Sequence, residues 1–446
     1  MTGTREHQLG AFARTSTSLL WADDPALANL LTAEYQRQQN DLCLVASSSI
    51  AHPSVFAAQS SVTDNLTTEG YPGRRYHGGC LYADEIERMA VERCRSLFGA
   101  TYANVQPYSG SMANNTVLFS LLSPGDTVLS LDLASGGHLS HGARVAASGK
   151  YFDVVSYGVG PDGLIDYDAV RGLAERTRPK LLISGASSYP RTIDFARFRE
   201  IADSVGALLL ADISHISGLV AAGLHPSPID SAHITTTSTY KQLGGPRGGL
   251  IMLGRDRERP VGPRGTPLHR ALDQAVFPFF QGTPSLGSIA AKARALDLAR
   301  TPAFKAWMGR VVTTAGTFAE QLADSGHAIV TGGSDNHIVM VDLSPTGLTG
   351  AAVQDALELC GVIVNKNMIP GDKRPAGLTS GLRLGTNVTA LRGMEGEAIS
   401  ECAALVSDVV ATLRETDEQV LDARTQKRIT GQVADLCARF PIPYYP

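Results

Sequence analysis

Between residues 80 and 255, short apolar runs alternate with amphipathic stretches, and this alternation limits the fold more than any other feature of the chain. The runs are DTVLSLDL, FDVVSYGV, KLLISGAS, ALLLADIS, HITTTSTY and GGLIML. Their length and apolar content predict buried strands. ADEIERMAVERCRSLFG, residues 83–99, carries apolar residues at helical spacing and stops at Gly99, so a helix is expected there. DYDAVRGLAERT and DFARFREIADSVG read the same way. Strands interleaved with helices predict an α/β fold, a mostly parallel sheet covered on both faces. Ligands of such sheets bind in the loops at the carboxyl ends of the strands. From about residue 284 a longer helical pattern, SLGSIAAKARALDLA, leads to a second α+β block with strands near HIVMVDL and GLRLGT. The expected organisation is an N-terminal arm (1–40), a large domain (41–300) and a smaller C-terminal α+β domain (301–446).

Composition removes several classes of function. The chain has 446 residues with a net charge of −4 and no basic block, so nucleic acid is not an expected partner. No uncharged apolar run approaches the roughly 20 residues needed to span a bilayer, and the first residues lack the apolar core of a secretory signal. Six scattered cysteines (Cys43, Cys80, Cys94, Cys360, Cys402, Cys437) form no CxxC pair. They read as reduced thiols of a cytoplasmic protein, and no metal site is expected.

Three polar clusters fall where strands should end. Asp212 and His215 close the apolar run ALLLADISH, and a carboxylate there is costly unless a cation faces it. Lys241 closes the next run, before the glycine-rich GGPRGG. Upstream, PYSGSMANN puts Ser109, Gly110 and Ser111 at a helix start, where hydroxyls and free backbone N–H groups form a phosphate cradle. Taken singly, Lys241 reads as an ordinary surface lysine before a turn. Together, lysine, aspartate and cradle match pyridoxal phosphate: an amine for its aldehyde, a carboxylate for its ring nitrogen, donors for its phosphate.

With these clusters in place, the chain from Leu42 to Pro441 resembles the serine hydroxymethyltransferases. The matching stretches are LVASSS, TEGYPGRRYHGG, YANVQPYSGS, LASGGHLSHG, DISHISGLVAAG, TYKQLGGPRGG, VNKN, SGLRLGT and ARFPI. The resemblance implies the aspartate-aminotransferase-like fold type I, with a mostly parallel seven-stranded sheet in the large domain. It implies a homodimer, or a tetramer of such dimers, with active sites shared between subunits. The implied cofactor is pyridoxal phosphate, and the implied co-substrate a tetrahydrofolate. By the same resemblance Lys241 is the cofactor-bearing lysine and Asp212 the partner of the ring nitrogen. His138 stacks on the ring, Ser187 and His215 lie near its phenolic oxygen, and Ser109, Gly110, Ser111 and Gly282 hold its phosphate. Arg383 grips the substrate carboxylate with help from Ser47, a task suited to a planar fork. Glu69 handles protons near the folate and the leaving hydroxyl. Thr67, Tyr76 and His77 line the substrate mouth, and Asn365 binds the pterin. Outside such motifs His138, Glu69 and Arg383 read as a loop histidine, a turn start and a solvated strand end.

Four positions depart from the family pattern. Thr67 stands where the family usually has a tyrosine that reaches across the dimer toward the substrate α-carbon. His77 replaces the second tyrosine of RYYGG, Tyr240 replaces the histidine before the lysine, and FPGGQGG reads FPFFQGT, with Phe279, Phe280 and Thr283. Loss of a phenol ring beside the α-carbon removes the steric clash that would reject a methyl group there. In this respect the chain resembles α-methylserine hydroxymethyltransferases, and the expected reaction is interconversion of α-methylserine and D-alanine with a tetrahydrofolate. Ordinary serine/glycine exchange, a folate-independent threonine aldolase or transaldolase, and a non-catalytic cofactor-binding protein stay open.

Overall fold

The computed structural model describes residues 3–416 and 420–445. Seven strands form the central sheet: β1 (Tyr102–Asn104), β2 (Thr127–Leu131), β3 (Asp153–Tyr157), β4 (Leu181–Ser184), β5 (Leu208–Asp212), β6 (Ile234–Ser238) and β7 (Gly249–Leu253), in the order β1-β7-β6-β5-β4-β2-β3. The pairs from β3 through β6 are parallel, whereas β7 runs antiparallel to both of its neighbours. All six apolar runs read from the sequence are strands of this sheet. The edge strand β1 lies in YANV, too short to show a period of its own.

Both faces are covered, so the inner strands are buried along their length, as β4 and β6 show, while the edge strand β3 is buried only at Tyr157. Leu182 packs into one apolar cluster and its neighbours Leu181 and Ile183 into another, the two-residue period of a strand between two cores. After helices α1 (Gly3–Asp23) and α2 (Pro25–Asn40), helix α3 (Leu81–Phe98) seals one face through Ala90 and Cys94 and ends where Gly99 adopts φ 70°, a left-handed cap that glycine takes without a Cβ clash. Helix α4 (Gly110–Leu121) covers the other through Val117 and Leu118. The amphipathic stretches expected as helices are helices, at Tyr167–Thr177 and Phe195–Val205.

Helices α5 (Leu286–Ala299) and α6 (Pro302–Asp324) carry the chain to the C-terminal layer. There β8 (Ala328–Ile329), β9 (Ile338–Asp342), β10 (Asn365–Asn367) and β11 (Gly381–Gly385) form an antiparallel sheet in the order β8-β9-β11-β10. Its core contains Phe318, Val341, Leu382 and Val406, together with Leu42 and Leu44 from the start of the chain. Leu42–Cys43 pairs in parallel with Val362–Ile363, and Gly385 donates to Leu44 O at 2.7 Å. The stretch at 42–46, grouped by sequence with the large domain, therefore packs with the C-terminal layer. Among the described residues no helix is long and apolar enough to cross a membrane, and no group of histidine, cysteine and acidic side chains could hold a metal ion.

Candidate active site

Because β4, β5 and β6 are parallel, their carboxyl ends share one edge of the sheet. The turns that follow carry Ser187, His215 and Lys241, and a cavity of about 180 Å³ opens between Ala186, His215 and Lys241. Asp212, the last residue of β5, forms its base and is 6% exposed. Its Oδ2 accepts from Asn114 Nδ2 at 2.7 Å and pairs with His141 Nε2 at 2.9 Å, while Oδ1 accepts from Ser214 N at 2.9 Å. Burial raises the carboxyl pKa, but the bonds and charge from His141, with those from Ser214 and Asn114, outweigh it and hold the group far below the usual range. Asp212 is thus a fixed anion pointing into the pocket.

Lys241 lies three residues beyond β6, in a turn laced by Thr239 Oγ1 donating to Pro246 O and Gly245 N donating to Thr239 O. The lysine is 5% exposed, and its Nζ makes no hydrogen bond among the described residues; its ring contact is with Tyr240, at 5.9 Å. Burial, reinforced by Arg383 and Arg247 and opposed by Asp212, lowers its pKa from 10.5 to about 8. The amine is therefore much closer to its neutral, nucleophilic form at neutral pH than a solvated lysine.

The helix start is as the sequence implies. Ser109 caps α4, its Oγ accepting from Met112 N at 3.0 Å, which leaves its O–H able to donate. The N–H groups of Gly110 and Ser111 belong to the first turn and have no intrahelical acceptor. His138 borders the same cavity, its Nδ1 accepting from Ser140 N at 3.2 Å. Burial, with the nearby His141, lowers its pKa to about 4, so it offers a neutral imidazole face.

Arg383 enters from β11. Its Nε donates to Asn365 Oδ1 at 3.0 Å, and its Nη1 donates to Ser187 O at 2.6 Å and Ser187 Oγ at 3.0 Å. No carboxylate pairs with it among the described residues, and Nη2 has no acceptor there. Burial lowers its pKa to about 10, leaving a buried cation with one free edge. Asn365 sits opposite Arg383 across the β10–β11 pair, and its side-chain oxygen orients the guanidinium. Ser47 follows Ala46, which packs so tightly on Gly385 that a Cβ there would fall 2.3 Å from Ala46 Cα. His215 is buried, 3.5 Å from Ser187 Oγ and stacked on His337. Burial holds its pKa well below the ordinary value.

The remaining expected residues lie elsewhere. Glu69, Thr67, Tyr76 and His77 flank a small hairpin, Gly70–Tyr71 paired with Arg74–Arg75, on the outer surface. Thr67 and His77 are exposed, and Tyr76 is 73% exposed, its edge against Phe277. Glu69 Oε2 is 3.4 Å from His77 Nε2. Gly282 lies beside this group, since a Cβ on it would fall 3.2 Å from Glu69 Oε1. None of these five lines the Lys241 cavity within one chain. Of the departures, Phe279 is exposed on the same surface, while Tyr240 lies beneath the Arg247 guanidinium at 3.9 Å.

Sequence reasoning missed two supports. His141 stands in GGHLSHG without an expected role, yet its Nε2 pairs with Asp212 Oδ2 at 2.9 Å. Gln281 joins the FPFFQGT loop to the cradle, its Oε1 accepting from Tyr108 N at 3.2 Å and its Nε2 donating to Gln106 O at 3.1 Å. The spacing of His138 and His141 was the one available signal for the first, and nothing local marks the second.

A buried, easily neutralised amine, a fixed carboxylate facing it, an anion cradle and a guanidinium with a free edge can together hold a phosphorylated electron-withdrawing ring and an amino acid. Comparison with known proteins agrees. Residues 20–406 match the family model for serine hydroxymethyltransferase. The chain is 47% identical over 435 residues to a serine hydroxymethyltransferase of Rhodospirillum centenum, covering 97% of this chain and 98% of that one. It is 46% identical over 420 residues to "Serine hydroxymethyltransferase 2" of Cupriavidus pinatubonensis, covering 94% and 96%. A Burkholderia pseudomallei protein of the same name matches at 46% over the same length. Geometry and similarity converge: the chain is a pyridoxal-phosphate-dependent transferase of fold type I and belongs to the serine hydroxymethyltransferase family.

Proposed function

We propose that this chain moves a hydroxymethyl group between a small amino acid and tetrahydrofolate, with serine and glycine as the amino-acid pair. The observation that carries the reading is that Lys241 and Asp212 line one cavity, with Arg383 close enough to act on the Lys241 charge. Near-full-length similarity to serine hydroxymethyltransferases supports serine and glycine in particular. The pocket fits pyridoxal phosphate: a buried amine lacks a hydrogen-bond acceptor, first-turn N–H groups lack partners, and the carboxylate is already ionised.

When bound, pyridoxal phosphate supplies an aldehyde that captures amines and a ring that withdraws electrons from the amino acid α-carbon. Lys241 would hold that aldehyde carbon, its lowered pKa favouring the free amine this requires. Asp212, fixed by His141 and Asn114, keeps a proton on the ring nitrogen. His138 presents its neutral face to the ring, and the N–H groups of Gly110 and Ser111, with the Ser109 hydroxyl, receive the phosphate. Nη2 of Arg383 takes the substrate carboxylate, its other donors being occupied by Asn365 and Ser187. Glu69 moves the proton of the substrate hydroxyl as the Cα–Cβ bond breaks. The working form is a homodimer in which the Glu69 hairpin of one protomer completes the Lys241 cavity of its partner. The exposure of Thr67, Tyr76 and His77 beside the half-buried Glu69 supports this arrangement.

Thr67 favours a second reading, in which the amino-acid pair is α-methylserine and D-alanine. An exposed threonine in place of a phenol leaves room for an α-methyl group, and relief of that clash is what acceptance requires. Initial rates with glycine, L-serine, D-alanine, both α-methylserine enantiomers and L-threonine, each with and without tetrahydrofolate, separate the readings. Fastest folate-dependent turnover of L-serine is expected. Dominance of D-alanine and α-methylserine would move the assignment to the second reading, and folate-independent cleavage of L-threonine would move it to an aldolase.

A further inference from the structure

The chain buries a second lysine more completely than Lys241. Lys292, on α5, is 1% exposed, and its Nζ donates to the carbonyls of Val105 (2.6 Å), Pro107 (2.9 Å) and Gly249 (3.2 Å). The charge acting to keep it protonated is Glu87 on α3, which is not hydrogen-bonded to it. Glu87 spends its own bonds on Arg75 and Gln106. Burial lowers the Lys292 pKa to about 7. The carbonyls can only accept, so all three N–H bonds of an ammonium are required; a neutral amine would turn a lone pair toward one of them. Lys292 is therefore built as a tethered cation coordinated by backbone oxygens.

Those oxygens belong to one place. Val105 and Pro107 lie in the stretch between β1 and the Ser109 cap, and Pro107 O also accepts from Gly249 N at 2.9 Å. A Cβ on Gly249 would fall 2.3 Å from Ser109 O and 3.1 Å from Gly110 N. A Cβ on Gly248 would fall 2.2 Å from Lys292 Cε, so this glycine makes room for the lysine stem. The ammonium sits directly behind the turn whose free N–H groups open into the cavity.

We propose that Lys292 is a positioning residue for the phosphate cradle: its ammonium locks the Val105–Ser109 turn against β7, fixes the spacing of the Gly110 and Ser111 N–H groups, and places positive charge behind them. The ligand class served is a phosphate ester. The proposal rests on the cradle reading given under the proposed function, and its test separates the two.

Lys292→Met keeps the stem and removes the ammonium; Lys292→Gln restores donors without charge. Dissociation constants of pyridoxal phosphate and of pyridoxal are measured by visible absorbance on the full-length chain stripped of cofactor. The Met variant is expected to bind pyridoxal phosphate about tenfold more weakly while pyridoxal stays within about twofold, with part of the loss recovered in Lys292→Gln. Equal weakening of both ligands, or an unchanged affinity for pyridoxal phosphate, overturns the proposal. If the wild-type chain does not prefer pyridoxal phosphate over pyridoxal, the cradle reading itself falls; a preference undiminished in Lys292→Met overturns only the role of Lys292. Should neither variant fold, the ¹⁵N-lysine spectrum of the wild-type chain titrated with inorganic phosphate decides. A slowly exchanging ammonium signal that shifts is expected, and one that stays fixed refutes the proposal.

Discussion

The cavity around Lys241 and the hairpin around Glu69 carry equally specific motifs, yet they are built in opposite ways. In the cavity, Lys241, Asp212 and His215 are 4–6% exposed, and the orienting partners of Asp212 come from the same chain. The hairpin presents Tyr76, Thr67 and His77 to solvent. It is nevertheless held firmly from beneath. Arg75 donates to the carbonyls of Thr68 and Gly70 and pairs with Asp84 (2.8 Å) and Glu87 (2.6 Å), its side chain only 4% exposed. A loop so anchored is not loose. The contrast teaches that burial marks the half of a site that one chain completes; in the proposed dimer, fixed exposure marks the half offered to a second copy.

The largest expected effect tests the buried half. Lys241→Ala should lower turnover by about a thousandfold or more and abolish the visible absorbance of bound cofactor. Retained absorbance would break the assignment of the cavity. Glu69→Gln tests the exposed half: turnover should fall by about 10²–10³-fold while cofactor absorbance is unchanged. Mixing the two variants sharpens the comparison. If each site draws Lys241 and Glu69 from different protomers, half of the dimers are mixed and one of their two sites is intact, so roughly a quarter of wild-type activity should return. No recovery in mixtures that demonstrably exchange subunits would place both groups in the same protomer.

Arg383→Lys comes next. Loss of the planar fork should raise KM for the amino acid by roughly tenfold to a hundredfold with a smaller change in kcat, read from initial rates. Thr67→Tyr should shift the glycine to D-alanine rate ratio toward glycine by about tenfold, the worth of one methyl clash. An unchanged ratio would remove Thr67 from the substrate mouth. The smallest effect concerns pH. Only the neutral Lys241 amine attacks an aldehyde, and its pKa is lowered to about 8. The association rate of pyridoxal phosphate with the stripped chain should therefore climb as pH rises toward 8 and level above it, instead of climbing on toward the 10.5 of an ordinary lysine.

Much of this was legible before any coordinates. Gly99 ending α3 and Ser109 opening α4 are local signals, set by φ preference and capping chemistry within a few residues. The six apolar runs are strands because a doubly covered sheet leaves no polar face to write into the sequence. Strand β1 was not legible, since its three residues make sense only beside β7. Nor was the packing of Leu42 and Leu44 into the C-terminal core, a contact across some 300 residues of chain. In the site, Lys241, Asp212 and Arg383 were legible from motif and strand end. Asn365 was legible as a site residue but not as the acceptor of the Arg383 Nε bond, because that depends on β10–β11 register. Lys292 gave no signal at all: in SLGSIAAKARALDLA it reads as one more polar residue on a helix.

By itself, the sequence determined the alternation of strands and helices, the capped helix at the cradle and the residue types able to hold a cofactor, because each is fixed by short-range periodicity or by side-chain chemistry. Only the tertiary structure decided which of those residues share a cavity, that Asp212 is held ionised by His141, and that Glu69 faces outward. Those outcomes depend on strand order and register, which join residues far apart in the chain, and on burial, which sets the charge each group carries.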